Sequence, residues 1–213
     1  MHKNIIHILI IFFTAITTGI AQPKGYHTIS DEAAFRKKMS ETAKLTNSIK
    51  SNFIQEKNLS VVSEKIISNG TFRFKKESKV RMEYIHPYRY LLIINNDKVV
   101  IKDDQKTNSF SSKSNKLFTI INNIIIDCVQ GTALDNKDFK AAIFTNDKNN
   151  LLVLTPVKKE LQDFFKNISV YLDSKDGSVI KIDMAEPSGD NTVISFTEKE
   201  INVPIADSEF SVN

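Results

Sequence analysis

Ile66, Ser68, Gly70, Phe72 and Phe74 share one parity along the chain, while Asn69, Thr71, Arg73 and Lys75 share the other. A few residues on, Val80, Met82 and Tyr84 alternate in the same way with Lys79, Arg81 and Glu83. Successive side chains of a strand point to opposite faces, so the alternation predicts a sheet with one dry face and one wet face. Leaving the dry face in water would forgo about 1.5 to 3 kcal/mol per large side chain. That face must therefore meet helices, a second sheet, or itself in a curled sheet. A filled core is the ordinary outcome of such a pattern.

The strand signature recurs along most of the chain. Residues 48–60, 61–77, 79–87, 88–104 and 106–112 are rich in β-branched and aromatic residues and are divided by Asn, Asp, Gly or Pro, which predicts an antiparallel meander. The signature resumes over 140–158 and 167–203, with Asp176-Gly177 and Gly189-Asp190 as expected hairpin turns. Two segments break the alternation. Over 30–47, Phe35, Met39 and Ala43 fall four residues apart behind a possible Ser30 cap, with Asp31 and Glu32 in the first turn, so an amphipathic helix is expected. Over 114–131, Leu117, Ile120, Ile121, Ile124, Ile125 and Cys128 form a helical stripe, with Ser114 to start it and Gly131 to end it. Isoleucine favours strands, but alternation fails at Asn122-Asn123 and across Ile124 to Ile126. Phe118 and Ile126 add apolar surface beyond the stripe, more than a helix with one wet side needs.

Composition narrows the setting. Lys3 and Asn4, an apolar run from Ile5 to Phe13 and a small-x-small end at Gly19-Ile20-Ala21 read as a secretory leader cleaved after Ala21, leaving 22–213 as a single domain. No Cys follows the small residues, so the mature chain is expected to diffuse freely rather than carry a lipid anchor. Of 29 basic and 25 acidic residues the leader removes only Lys3, so the mature net charge falls one unit below the full chain's +4, without long basic blocks. Nucleic acid is a poor partner for such a surface. Cys128 is the only cysteine, so no internal disulfide can form. His27 and His86 are the only histidines after the leader, and no HxH, CxxC or HExxH spacing occurs, so neither a metal nor another cofactor is expected.

Enzymatic chemistry finds little support. There is no G-x-S-x-G elbow, and His86 lies in the loop-like stretch "IHPYR". Asp103 and Asp104 are strand neighbours that point to opposite faces, and Cys128 reads as a small buried apolar residue. No catalytic residues are expected.

Several short signatures, in order, resemble the LolA-type periplasmic lipoprotein carriers. A helix leads into "FIQEK", Phe53 to Lys57. "GTFRFKKESKVRMEYIHP" follows, carrying Gly70, Phe72, Phe74, Lys75, Lys76, Arg81, Tyr84 and Pro87. "INNDKVVI" stands where the family has a D-G-K hairpin; "LLVLTPV" and the strands after residue 167 are similar to its later segments, and "INVPIADSEFSV" to its closing strand. The resemblance covers nearly all of 30–212. Where proteobacterial members carry Arg-Pro this chain has Lys76-Glu77, its hairpin is Asn96-Asp97, and it lacks the family's tryptophans, which marks a distant branch.

The resemblance implies a mainly β (α+β) fold: a curled, half-open antiparallel barrel with helices covering its open side. The dry face would then line a cavity for acyl chains, with Phe53, Phe72, Phe74, Met82, Tyr84, Leu92 and Ile94 as the expected wall. Residues 91–94 are apolar on both parities, so Leu92 and Ile94 suit a core equally well. The 114–131 helix becomes the expected lid through Leu117, Phe118, Ile121, Ile124 and Ile125. The family Arg is thought to latch the lid through carbonyl hydrogen bonds; Lys76 can donate such bonds but lacks the planar fork. Lys75, Lys76 and Arg81, with Arg73 and Lys79, form a basic cluster that could dock an acidic partner or simply be solvated. The implied role is a periplasmic, monomeric carrier taking lipoproteins from an inner-membrane transporter complex to an outer-membrane acceptor. A carrier or sensor for another lipid or a glycolipid, and an interaction module with a filled core, are the other readings.

Overall fold

The structure, a computed structural model, describes residues 22–62, 64–76, 78–111 and 116–211; for residues 116–119, 121, 122 and 129 the description is limited to the backbone. The expected leader and the Ser114 cap lie outside the described residues. A two-residue strand, β1 (His27–Thr28), precedes α1 (Glu32–Leu45), which buries Phe35, Met39 and Ala43. Asp31 rather than Ser30 is the cap: its carboxylate accepts the Ala34 N–H at 2.8 Å, and Glu32 keeps its favourable place in the first turn.

Six strands follow: β2 (Ser48–Leu59), β3 (Glu64–Lys75), β4 (Lys79–His86), β5 (Tyr90–Asn95), β6 (Lys98–Asp103) and β7 (Thr107–Ser111). After α2 (Lys116–Gln130) come β8 (Phe139–Thr145) and β9 (Asn149–Pro156), the single turn α3 (Lys159–Gln162), then β10 (Asn167–Asp173), β11 (Val179–Ala185) and β12 (Asn191–Ile201). The expected turns are present, with Gly177 at φ +70 and Gly189 at φ +93, and Asn96 takes the left-handed place between β5 and β6 at φ 54.

Every pairing is antiparallel, in the order β1-β8-β9-β10-β11-β12-β2-β3-β4-β5-β6-β7. Two meanders are thus fused where β12 pairs with β2, and the outer strands β1 and β7 do not meet, so the curled sheet stays open. The chain leaves the sheet at β7, on one margin, and re-enters at β8, beside the other. The link between them must cross the open side, and α2 is that link. Its Ile124, Ile125 and Cys128 join one core with Phe53, Phe74, Val80 and Leu92 from one meander and Leu154, Ile168, Val170 and Ile182 from the other. Gly131 ends α2 against α1; at φ +69 it lies where a Cβ would come within 2.9 Å of the Met39 carbonyl oxygen.

The doubly apolar stretch at 91–94 is explained on the convex side. Ile93 and Val100 are covered there by Ile205 and Phe210, with Leu91 and Val203 packed around them. The resemblance implied a closing strand over this C-terminal segment. Instead residues 203–211 make no ladder pairing and end in a 3₁₀ turn, Asp207–Phe210, docked through Phe210, which is 1% exposed. Pro204 has no N–H for a ladder, and side chains of β3 and β4 supply the bonds instead. Lys75 donates to the Ile205 carbonyl and to Asp207, Lys79 to Asp207 and Arg81 to the Glu209 carbonyl, while Arg73 pairs with Glu209.

Candidate functional site

The concave face does not close on itself completely. Between β4, β5, β11, β12 and the segment after α3 lies a cavity of about 480 Å³, walled by Met82, Leu92, Ile94, Met184, Ile194 and Ile125. Each sits on the dry parity of its strand or, for Ile125, on the buried side of α2. The polar groups gather at one end, where Gln55, Asp163, Glu186, Ser188 and Thr192 ring the mouth with Phe164. Lys57 pairs with Glu186 at this rim.

A ladder of rings stiffens the wall beside the mouth. Phe53, Gly70 and Tyr84 are successive partners across β2, β3 and β4, and Tyr84 pairs with Tyr90 on β5. Phe53 meets Tyr84 edge-on at 4.9 Å, and Tyr84 meets Tyr90 at 5.6 Å. The Tyr84 hydroxyl donates to Gln55 Oε1 at 2.9 Å, and burial, with Tyr90 beside it, pushes its pKa up to about 12. It therefore stays a neutral donor facing an apolar space.

Of the seven wall residues expected from sequence, Met82, Tyr84, Leu92 and Ile94 face this cavity. Phe53 and Phe74, 1% and 0% exposed, lie in the packed layer behind it. Phe72 faces a smaller pocket of about 30 Å³ farther along the same face, with Phe196, Ile182, Cys128 and Ile125. Gln55, Tyr90, Met184 and Ile194 were missed, although the parity of β11 and β12 could have found Met184 and Ile194.

Ile124 and Ile125 of the expected lid are buried, and Ile125 borders both pockets. Leu117, Phe118 and Ile121 belong to α2, but their side chains lie outside the described residues. Lys76 donates to the carbonyl of Lys44, in the last turn of α1, at 2.5 Å, so its carbonyl bond fastens α1. Lys75 and Arg81 are held by the C-terminal segment as described above.

Among the described residues that line the cavity there is no histidine or cysteine. His86 is exposed, Asp103 accepts the N–H groups of Gln105 and Lys106 at 2.9 and 2.8 Å, and burial pushes the Cys128 thiol up to about 12. Among the described residues no cluster suited to a metal ion occurs, and no helix is long and apolar enough to cross a membrane. Fold and cavity together define a curled-sheet binding protein with an apolar, helix-covered interior.

The family model of the outer membrane lipoprotein carrier protein LolA matches residues 44–213, and the chain belongs to that family. Among solved structures, MucB is similar at a TM-score of 0.51 and 14% identity, over 87% of this chain and 64% of that one. An uncharacterized conserved protein from Thermus thermophilus is similar at 0.50 and 8% identity, over 84% and 93%. A LolA superfamily protein from Nitrosomonas europaea gives 0.44 and 9%, over 83% and 97%. These likenesses concern the fold. No protein of curated function matches the sequence.

Proposed function

We propose that the chain carries acyl chains of lipoproteins across the periplasm, taking them from an inner-membrane transporter and delivering them to an outer-membrane acceptor. The observation that carries this reading is the cavity of about 480 Å³ walled by Met82, Leu92, Ile94, Met184 and Ile194, with the exposed polar residues Asp163 and Ser188 on its lining. An acyl chain entering there gains about 0.8 kcal/mol per buried methylene, while a polar head stays at the rim in water. The family supports the lipoprotein as cargo, and the leader-like first 21 residues support export. The reading is of a binding protein rather than an enzyme, supported by membership of the carrier family.

Native mass spectrometry of the protein purified from its own cell envelope tests the cargo. An acylated polypeptide bound one to one is expected; a bound glycolipid or other small lipid would replace the lipoprotein reading with that of a different lipid carrier. The same spectrum reads the mature mass, which should begin at Gln22. A chain retaining its first 21 residues and sedimenting with membranes would contradict a diffusing carrier.

A further inference from the structure

At the inner end of the concave face, strand β12 carries a bulge whose effect is to turn a lysine inward. Thr197 pairs with Asn52 and Glu200 with Lys50, so Glu198 and Lys199 together oppose the single residue Ser51. Glu198 takes φ 51, a left-handed conformation that costs a non-glycine residue of order 1 kcal/mol or more. Without the bulge, alternation from Ile194 and Phe196 would place Glu198 on the dry face. With it, Glu198 accepts from Asn52 outside at 2.7 Å, and Lys199 enters the small pocket beyond Phe72 and Phe196.

A second, independent observation lies in the same pocket. The Ser51 hydroxyl is buried, its residue 3% exposed, and it has no hydrogen-bond partner. Orphaned buried hydroxyls are uncommon because losing water without a replacement costs about 1 to 3 kcal/mol. Lys199 donates to Ser178 Oγ and to the Val179 carbonyl, which uses two of its three donors. Ser178 in turn spends its own proton on Asp176. Lys199, half-buried, therefore keeps one N–H outside these two bonds, and it lines the same small apolar pocket as the unpartnered Ser51. The pocket lies along the same strands as the main cavity: Phe196 follows Ile194 on β12, Ile182 precedes Met184 on β11, Phe72 is the register partner of Met82, and Ile125 borders both.

We propose that Lys199 and Ser51 form a carboxylate site at the floor of the cavity, and that the protein binds a free long-chain fatty acid with its carboxylate inward. The Lys199 ammonium and the Ser51 hydroxyl donate to the two carboxylate oxygens, and the hydrocarbon runs past Ile125 toward the mouth. A charge-assisted bond in such surroundings is stronger than a neutral one. This rests on the reading of the main cavity as an acyl-chain site.

The test compares palmitate, below its micelle concentration, with methyl palmitate, each displacing a fluorescent acyl probe from the full mature chain. Palmitate should bind at least about tenfold more tightly than the ester. Lys199→Met should collapse that ratio toward one, Lys199→Arg should keep most of it, and Ser51→Ala should reduce it without lowering the melting temperature. On the unaltered protein, a carbon-13 carboxyl label on palmitate should be shielded from a soluble paramagnetic quencher. Equal binding of acid and ester, a preference that survives Lys199→Met, or a carboxyl carbon as exposed as in free palmitate would overturn the carboxylate site and leave the cavity standing. Binding of neither ligand would overturn the acyl-chain reading of the cavity itself.

Discussion

Gly70 shows how much one residue decides here. A Cβ at this position would lie 2.0 Å from the Glu83 carbonyl oxygen and 3.0 Å from the Phe53 ring, so only glycine lets β3 and β4 close beneath the aromatic ladder. Gly70→Ala should lower stability by about 2 kcal/mol or more in urea unfolding, because backbone rather than a flexible side chain must give way. Tyr84→Phe should cost only about 1 kcal/mol, the loss of its bond to Gln55. At this scale the sequence was informative about side and silent about depth. Parity put Phe53, Phe74, Met82 and Leu92 on one face, but whether a ring fills the core or borders a void depends on the partner strands, which alternation does not name. Lys199 was illegible for a sharper reason: its inward aim hangs on the left-handed Glu198, a position where ordinary alternation points the other way.

Among elements, the C-terminal segment changed most between sequence and structure. Its similarity to a family strand was a matter of residue types, whereas its pairing is made by side chains of β3 and β4 and by Phe210. Phe210→Ala should destabilise the fold by about 3 kcal/mol or more, as for other buried phenylalanines. The contact of Asp207 with Lys75 and Lys79 holds its carboxyl below the ordinary 3.8. Because the folded pKa is depressed, this stabilisation is complete above the ordinary value and is lost as pH falls through the folded one. Acid titration followed by hydrogen exchange should therefore loosen residues 203–211 only below about pH 4, and Asp207→Asn should remove that step. The basic cluster bears on docking in the same way. Lys75 and Lys76 already serve the C-terminal segment and α1, so reversing their charges should lower the melting temperature as well as any partner affinity. The α2 helix was legible because its stripe keeps a 3.6-residue period, while the four-residue α3 and two-residue β1 are too short for any period to show.

For the molecule as a whole, the topology is what leaves a cavity to be covered. A sheet whose outer strands do not meet presents its apolar face to one side, and the crossing from β7 to β8 lays α2 over that side. The class of fold could be read from period-2 alternation because strands such as β4 and β10 and the second half of β3 alternate buried with less buried positions. The strand order could not, since β12 pairing with β2 joins segments far apart in sequence. Binding of an acyl probe tests the central claim most directly, comparing the native chain with Leu92→Trp, which fills the cavity of about 480 Å³, and with Leu45→Trp, an exposed control. With folding verified by circular dichroism, Leu92→Trp should weaken probe binding at least about tenfold while Leu45→Trp binds as the native chain does. A folded Leu92→Trp that binds the probe with native affinity would contradict the claim that acyl chains occupy this cavity.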